Sequence, residues 1–331
     1  MAAGPSTIAD GPDLLRLTSL TLPRPAVEDD LTKLIADPAP VEQEVRKLLN
    51  DLDVELVCWV DAVWGLGHLS PAPAHVRTAL MVHVLRTDPP MHESLRRRPG
   101  AVVTVSDFMV EEASAAGLDA SEWQVVPNAL LRQTPAPPAG VREELRRTGP
   151  VRIVARAEPH KGIAELLRAY PAAGLGRPVE IVLASAGFEY WPGMQQDVLR
   201  ECEALATDLP EVRLLPALSW QEVQPFLAKA AATVISSTSP ETFGNVAAEA
   251  LSVATPVVGY GLGHLPALTG GAGRMVPLAD GPHRLWESVS DLLGHREDYH
   301  AASQQGPLQV AHHTPQAVAE GFLAVAGQGA L

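Results

Sequence analysis

The chain has 331 residues, with 39 acidic against 25 basic side chains and a net charge of −14. That balance argues against a sequence-independent grip on nucleic acid, which needs a dense phosphate-neutralising surface, and weakens attachment to anionic lipid through a polybasic face. With 46% apolar and 19% charged residues, the composition is that of a globular protein, long enough for two domains. Cys58 and Cys202 lack CxxC spacing and read as small apolar residues in a reducing compartment. The amino terminus has no basic stretch before an apolar core, and no apolar run approaches the roughly 20 residues of a transmembrane segment. A cytoplasmic protein is expected.

In chain order, strands are predicted at Leu14–Leu22, Asp53–Val60, Arg77–Leu85 and Ala101–Val105, with helices at Pro40–Leu52 and Asp107–Ala116. A hinge rich in proline and alanine, Gln133–Gly140, then separates the halves, and a charged helix follows at Val141–Arg147. Beyond it strand and helix alternate. Strands are expected at Val151–Val154, Val179–Ala184, Val212–Leu215, Thr233–Ser236 and Pro256–Gly259. Helices are expected at Ile163–Tyr170, Met194–Thr207, Trp220–Ala231 and Asn245–Val253, with closing helices at Pro282–Leu293 and Pro315–Val325. That alternation implies a parallel sheet with right-handed crossovers.

Two segments carry candidate chemistry. Arg156 and Lys161 follow the strand at Val151 and precede a helix, a placement suited to a diphosphate: arginine offers a planar fork, lysine a point charge, and the helix dipole adds to both. Ordinary surface cations near a turn fit the same spacing. Glu241 and Glu249 bracket Phe243-Gly244-Asn245 between two apolar strands, a unit in which ligands sit at the strands' carboxyl ends. Solvated carboxylates at a helix start are the plain alternative. His83 lies in the apolar run Leu80–Leu85 and reads equally as a core residue; His295, His312 and His313 lack metal-ligand spacing and are expected at the surface. Trp59, Trp64 and Trp191 read as core or as sugar platforms.

Together the two segments resemble a known family. Ala155-Arg-Ala-Glu-Pro-His-Lys-Gly162 is similar to the Gly-Arg-x-x-x-x-Lys-Gly pattern of the family 4 retaining glycosyltransferases (glycosyl transferases group 1), and Glu241–Glu249 to their Glu-x7-Glu signature. Pro256–Pro266 resembles the strand and glycine-rich loop that follow it, and Val103–Ser106 and Val125–Asn128 resemble the last strands of the amino-terminal domain. The resemblance implies a GT-B fold, α/β, with two Rossmann-like domains and a cleft between them. Residues 1–140 would form the acceptor-side domain, with the carboxy-terminal segment 310–331 packing back toward it, and residues 141–309 the nucleotide-sugar-binding domain. It implies transfer of a sugar from a nucleotide-diphosphate sugar to a hydroxyl of a small molecule or glycan, without metal or other cofactor. Arg156 and Lys161 would neutralise the leaving diphosphate, and Glu241 would accept from the donor sugar's hydroxyls. Glu249 would accept from the ribose, the amides of Phe243, Gly244 and Asn245 would face phosphate or sugar, and His83 and Asn128 would complete the donor site.

Four departures from the pattern stand out: Ala155 and Ala254 where glycine is usual, Ala267 after Pro266 where the loop has glutamate, and Ala129 after Asn128. The amino-terminal domain is short and reads as lacking its first strand–loop–helix unit. A non-catalytic binding subunit of the same shape, or a truncated inactive enzyme, is therefore the alternative.

Overall fold

The computed structural model describes residues 14–61, 73–172 and 174–327, and Trp64 and the first residues of the chain lie outside them. The chain divides into two compact units: residues 1–127, 187–192 and 318–331, and residues 128–186 and 193–317.

The first unit begins with β1 (Ala26–Val27), α1 (Glu28–Ala36) and α2 (Ala39–Asp51). The predicted strand over Leu14–Leu22 is not formed. Its amides go elsewhere: those of Thr18 and Ser19 donate to the Glu44 carboxylate on α2 at 2.8 and 2.7 Å, so no ladder can claim them. Then come β2 (Leu56–Val60), β3 (Arg77–Val82), α3 (Pro89–Arg96), β4 (Ala101–Thr104), α4 (Asp107–Ala115) and β5 (Gln124–Val125). Strands β2-β3-β4-β5 pair in parallel in that order. Helix α3 was not anticipated; its start is set by Asp88, whose carboxylate accepts from the Met91 amide, followed by two prolines in the first turn.

The second unit opens with α5 (Ala139–Thr148) and β6 (Val151–Arg156), then α6 (Ile163–Ala169) and β7 (Val179–Ala184). The short β8 (Phe188–Glu189) belongs to the first unit, where it pairs in parallel with β1. The order resumes with α7 (Met194–Thr207), β9 (Val212–Leu215), α8 (Trp220–Leu227), β10 (Ala232–Ile235), α9 (Asn245–Ser252) and β11 (Val257–Tyr260). Finally come α10 (Leu265–Thr269), β12 (Gly273–Val276), α11 (Gly281–Gly294) and α12 (Arg296–Gln309), while α13 (Pro315–Ala326) belongs from residue 318 onward to the first unit. Among the described residues no helix is long and apolar enough to cross a membrane.

The six strands of this unit pair in parallel in the order β9-β7-β6-β10-β11-β12. Chain direction along the sheet therefore reverses between β6 and β10. At such a switch point the loops leaving the two strands turn opposite ways and open a crevice at the carboxyl end, where doubly wound sheets bind ligands. Both faces of the sheet are covered, so its strands read as largely apolar runs; Glu180 on β7 is buried but paired with Arg152 on β6 at 2.8 Å and Arg213 on β9 at 2.6 Å. Trp286 of α11 packs on Tyr170 and donates to the Leu166 carbonyl at 2.9 Å, and Tyr299 of α12 donates to the Ala231 carbonyl at 2.8 Å. Arg142 of α5 is 2% exposed, and its guanidinium donates to the carbonyls of Ala230, Ala228 and Val253 at 2.7, 2.8 and 3.2 Å. Those carbonyls lie just past the ends of α8 and α9, where a helix leaves acceptors unpaired.

Candidate functional site

The loops at the switch point are stitched to each other. Gly162, which ends the loop after β6, has φ +67°, and a Cβ there would lie 2.3 Å from the Ser236 carbonyl oxygen. Only glycine permits that approach. Across the seam the Ser236 hydroxyl donates to the Lys161 carbonyl at 2.7 Å and the Thr238 amide to the His160 carbonyl at 2.8 Å. Glu241 is mounted similarly. It forms a parallel bridge with Gly263 (φ +63°), the His264 amide donates to its carbonyl at 2.8 Å, and a Cβ on Gly263 would come within 2.3 Å of the same oxygen.

This mounting brings Lys161 and Glu241 together: Nζ lies 2.6 Å from Oε1, with the two side chains 15% and 19% exposed. The buried Ser237 hydroxyl donates to the same Oε1 at 2.5 Å. Arg156, at the end of β6, is half exposed and pairs with the buried Glu158, its Nη2 3.1 Å from Oε2, which His160 Nε2 also approaches to 3.1 Å. Burial raises the Glu158 carboxyl, but His160, Arg156 and Lys161 together hold it below the usual range. Each cation of the candidate diphosphate site thus has a carboxylate partner.

Helix α9 starts beside this pair. Gly244 (φ +95°) is its cap and supplies no side chain, and the first turn carries no acidic residue, so its amides and dipole present positive character. The Phe243 side chain is core: it stacks on His264 with ring centroids 5.9 Å apart and lies tilted against His313 at 5.4 Å. That corrects the expectation for His313, which is buried, while His295 and His312 are exposed. Burial, with His312 and His264 nearby, pushes the His313 imidazole down to about 4. On the other side of α9 the Asn128 side chain donates to Asn245 Oδ1 at 3.0 Å. A 390 Å³ cavity there is lined by Asn128, Leu131, Arg132, Trp220, Asn245 and Glu249. Burial raises the Glu249 carboxyl to about 7. Among the described residues no group of three or more His, Cys, Asp or Glu could hold a metal ion.

His83 lies in the first unit, just past the end of β3 rather than inside the strand; its amide and that of Val84 donate to Asp61 Oδ1 at 2.8 and 3.2 Å. Trp191 is exposed in the segment that also belongs to the first unit, and Trp59 is buried. Sequence reasoning missed Ser237, Trp220 and Arg132 as members of the site. A serine four residues before Glu241 in a turn was the available signal for the first; nothing local marked the other two.

Residues 151–295 match the family described as glycosyl transferases group 1. No curated protein sequence matches the chain. Among solved structures, sucrose-phosphate synthase from Thermosynechococcus elongatus superposes with a TM-score of 0.77 at 18% identity, covering 98% of this chain and 85% of that one. A glycosyltransferase from Rickettsia africae superposes at 0.68 with 13% identity, covering 96% and 85%. HepE from Anabaena, in complex with UDP and glucose, superposes at 0.69 with 16% identity, covering 90% and 80%. The chain therefore has the α/β GT-B fold with two Rossmann-like domains, and the match to glycosyl transferases group 1 falls largely within its second unit.

Proposed function

We propose that the protein is a retaining, metal-independent glycosyltransferase that moves a sugar from a nucleotide-diphosphate sugar to a hydroxyl of a small-molecule or glycan acceptor. The observation that carries this reading is the Lys161–Glu241 pair at the switch point, 2.6 Å apart, beside the uncapped start of α9. The donor diphosphate lies against that helix end and draws Lys161 and Arg156 from their carboxylates. Their positive charge stabilises the negative charge that grows on the leaving oxygen as the anomeric bond breaks. Glu241, relieved of Lys161, accepts hydrogen bonds from the sugar hydroxyls. Glu249 and Asn128 hold the ribose side. The acceptor oxygen attacks the face the diphosphate leaves, its proton passes to the departing phosphate oxygen, and the anomeric configuration is kept. No glycosidase-like pair of carboxylates is needed.

The test is nucleotide release from a panel of UDP-, GDP- and ADP-sugars, comparing wild type with Lys161→Ala and Glu241→Ala. Loss of one charge-stabilising donor of this kind costs about 10²–10³-fold in kcat, and that fall is expected for Lys161→Ala. Product anomer by NMR reads retention, and an unchanged rate in chelator reads metal independence. Wild type that binds and turns over no member of the panel refutes the proposal; binding without turnover identifies a GT-B-shaped binding subunit instead.

A further inference from the structure

Glu241 is held at one oxygen only. A carboxylate offers two oxygens and about four acceptor sites. Here Oε1 takes both Lys161 Nζ, at 2.6 Å, and the Ser237 hydroxyl, at 2.5 Å. Among the described residues no donor reaches Oε2. The two partners at Oε1 differ in what a ligand can do to them. Lys161 is a mobile ammonium with three donors, and a diphosphate carries charge enough to compete for it. Ser237 is 4% exposed, sits on the segment leaving β10, and has a single proton, already given to Oε1.

From this geometry we infer that Ser237 is the positioning residue for the donor sugar: it keeps Oε1 anchored when Lys161 turns to the diphosphate, so that Oε2 faces the sugar hydroxyls. The inference rests on the function proposed above and adds to it the group that orients Glu241. With Ser237 in place, entry of the diphosphate does not release Glu241 into its other rotamers. Without it, the carboxylate loses its remaining side-chain anchor at the moment the sugar must be read. The effect should therefore fall on the sugar and spare the diphosphate.

Calorimetric titration of the full chain with UDP, GDP and ADP, and with UDP-glucose, GDP-mannose and ADP-glucose, separates the two. For whichever pair binds wild type, Ser237→Ala should leave the Kd for the bare diphosphate within about twofold. It should raise the ratio of nucleotide-sugar Kd to diphosphate Kd by about 10- to 100-fold, the range for losing a hydrogen bond to a charged group. Ser237→Cys, nearly isosteric but a weak donor, should behave like the alanine variant and covers the case in which alanine fails to fold. Ser237→Thr, which keeps the hydroxyl, should recover most of the ratio. An unchanged ratio in both the alanine and cysteine variants overturns the inference and leaves the function standing. Equal weakening of diphosphate and nucleotide sugar also overturns it, since that marks a merely structural role. A wild type that binds no member of the panel overturns the function and the inference together.

Discussion

Replacing Gly162 by alanine loads two separate costs on one methyl group. The φ of +67° places an L-residue in the left-handed region, at about 1–2 kcal/mol. The new Cβ would also stand 2.3 Å from the Ser236 carbonyl oxygen, well inside the 3.0 Å below which something must shift. The neighbour is backbone, so the two loops have to part by about 0.7 Å, the difference between those distances. Their seam is held by the Ser236–Lys161 bond at 2.7 Å and the Thr238–His160 bond at 2.8 Å, each worth about 0.5–1.5 kcal/mol net. Together these give a loss of about 2–5 kcal/mol, and because Lys161 moves with the seam the nucleotide binding proposed above weakens with it. Gly176 is the internal control: its φ is +61° and a Cβ there meets nothing within 4 Å among the described residues, so Gly176→Ala bears only the first cost. The gain from a stiffer unfolded chain applies to both variants and cancels in the comparison. Urea unfolding of the two variants and wild type supplies the numbers. If Gly162→Ala is no less stable than Gly176→Ala, the account of the seam is wrong.

Two further outcomes concern pH. Burial raises the Glu249 carboxyl from 4.5 to about 7, so the fold favours its protonated form, and the stability this contributes is present below pH 4.5 and lost as pH rises through about 7. Glu249→Gln should remove that dependence, read as a stability difference from wild type that shifts in the variant's favour between pH 5 and pH 8 in urea titrations. The His313 imidazole moves the opposite way, from 6.5 to about 4, chiefly through burial, so its contribution is present above pH 6.5 and lost as pH falls through about 4. Its buried Nδ1 has no hydrogen-bond partner among the described residues, and His313→Phe keeps a ring against Phe243. Melting temperatures of that variant should exceed those of wild type by a margin that widens as pH drops from 6.5 to 4.

The second unit was the more legible half because its strands are buried on both faces and its helices separate them cleanly. Val179–Ala184, Met194–Thr207 and Val212–Leu215 have the bounds the sequence predicts. Leu14–Leu22 misled because a strand-like alternation says nothing of where the amides go, and a carboxylate on α2 takes two of them. Helix α12 escaped notice for a different reason. Its buried face includes Ala302, Ser303 and Gly306 rather than an apolar stripe, Pro307 lies inside it, and Gly306 approaches the Leu251 backbone so closely that a Cβ would stand 2.9 Å from its carbonyl oxygen. At the site, the residue types and the glycines were visible as motifs. The pairing of Lys161 with Glu241 was not, since the two lie 80 positions apart and meet only through the strand order. Ala254 illustrates the same limit: sequence flags a departure from glycine, and the structure adds that its φ is +59°.

Arg142 bears on where this protein can be cut. The family match begins at residue 151, with the first strand of the parallel sheet, and a fragment designed on that boundary discards α5. The guanidinium that bonds the carbonyls of Ala228, Ala230 and Val253 would go with it, removing the donor that three acceptors beside the ends of α8 and α9 share. The foldable piece therefore starts upstream of the homologous one. A fragment of the second unit for crystallography or for exchange between relatives has to carry the helix from Ala139 onward.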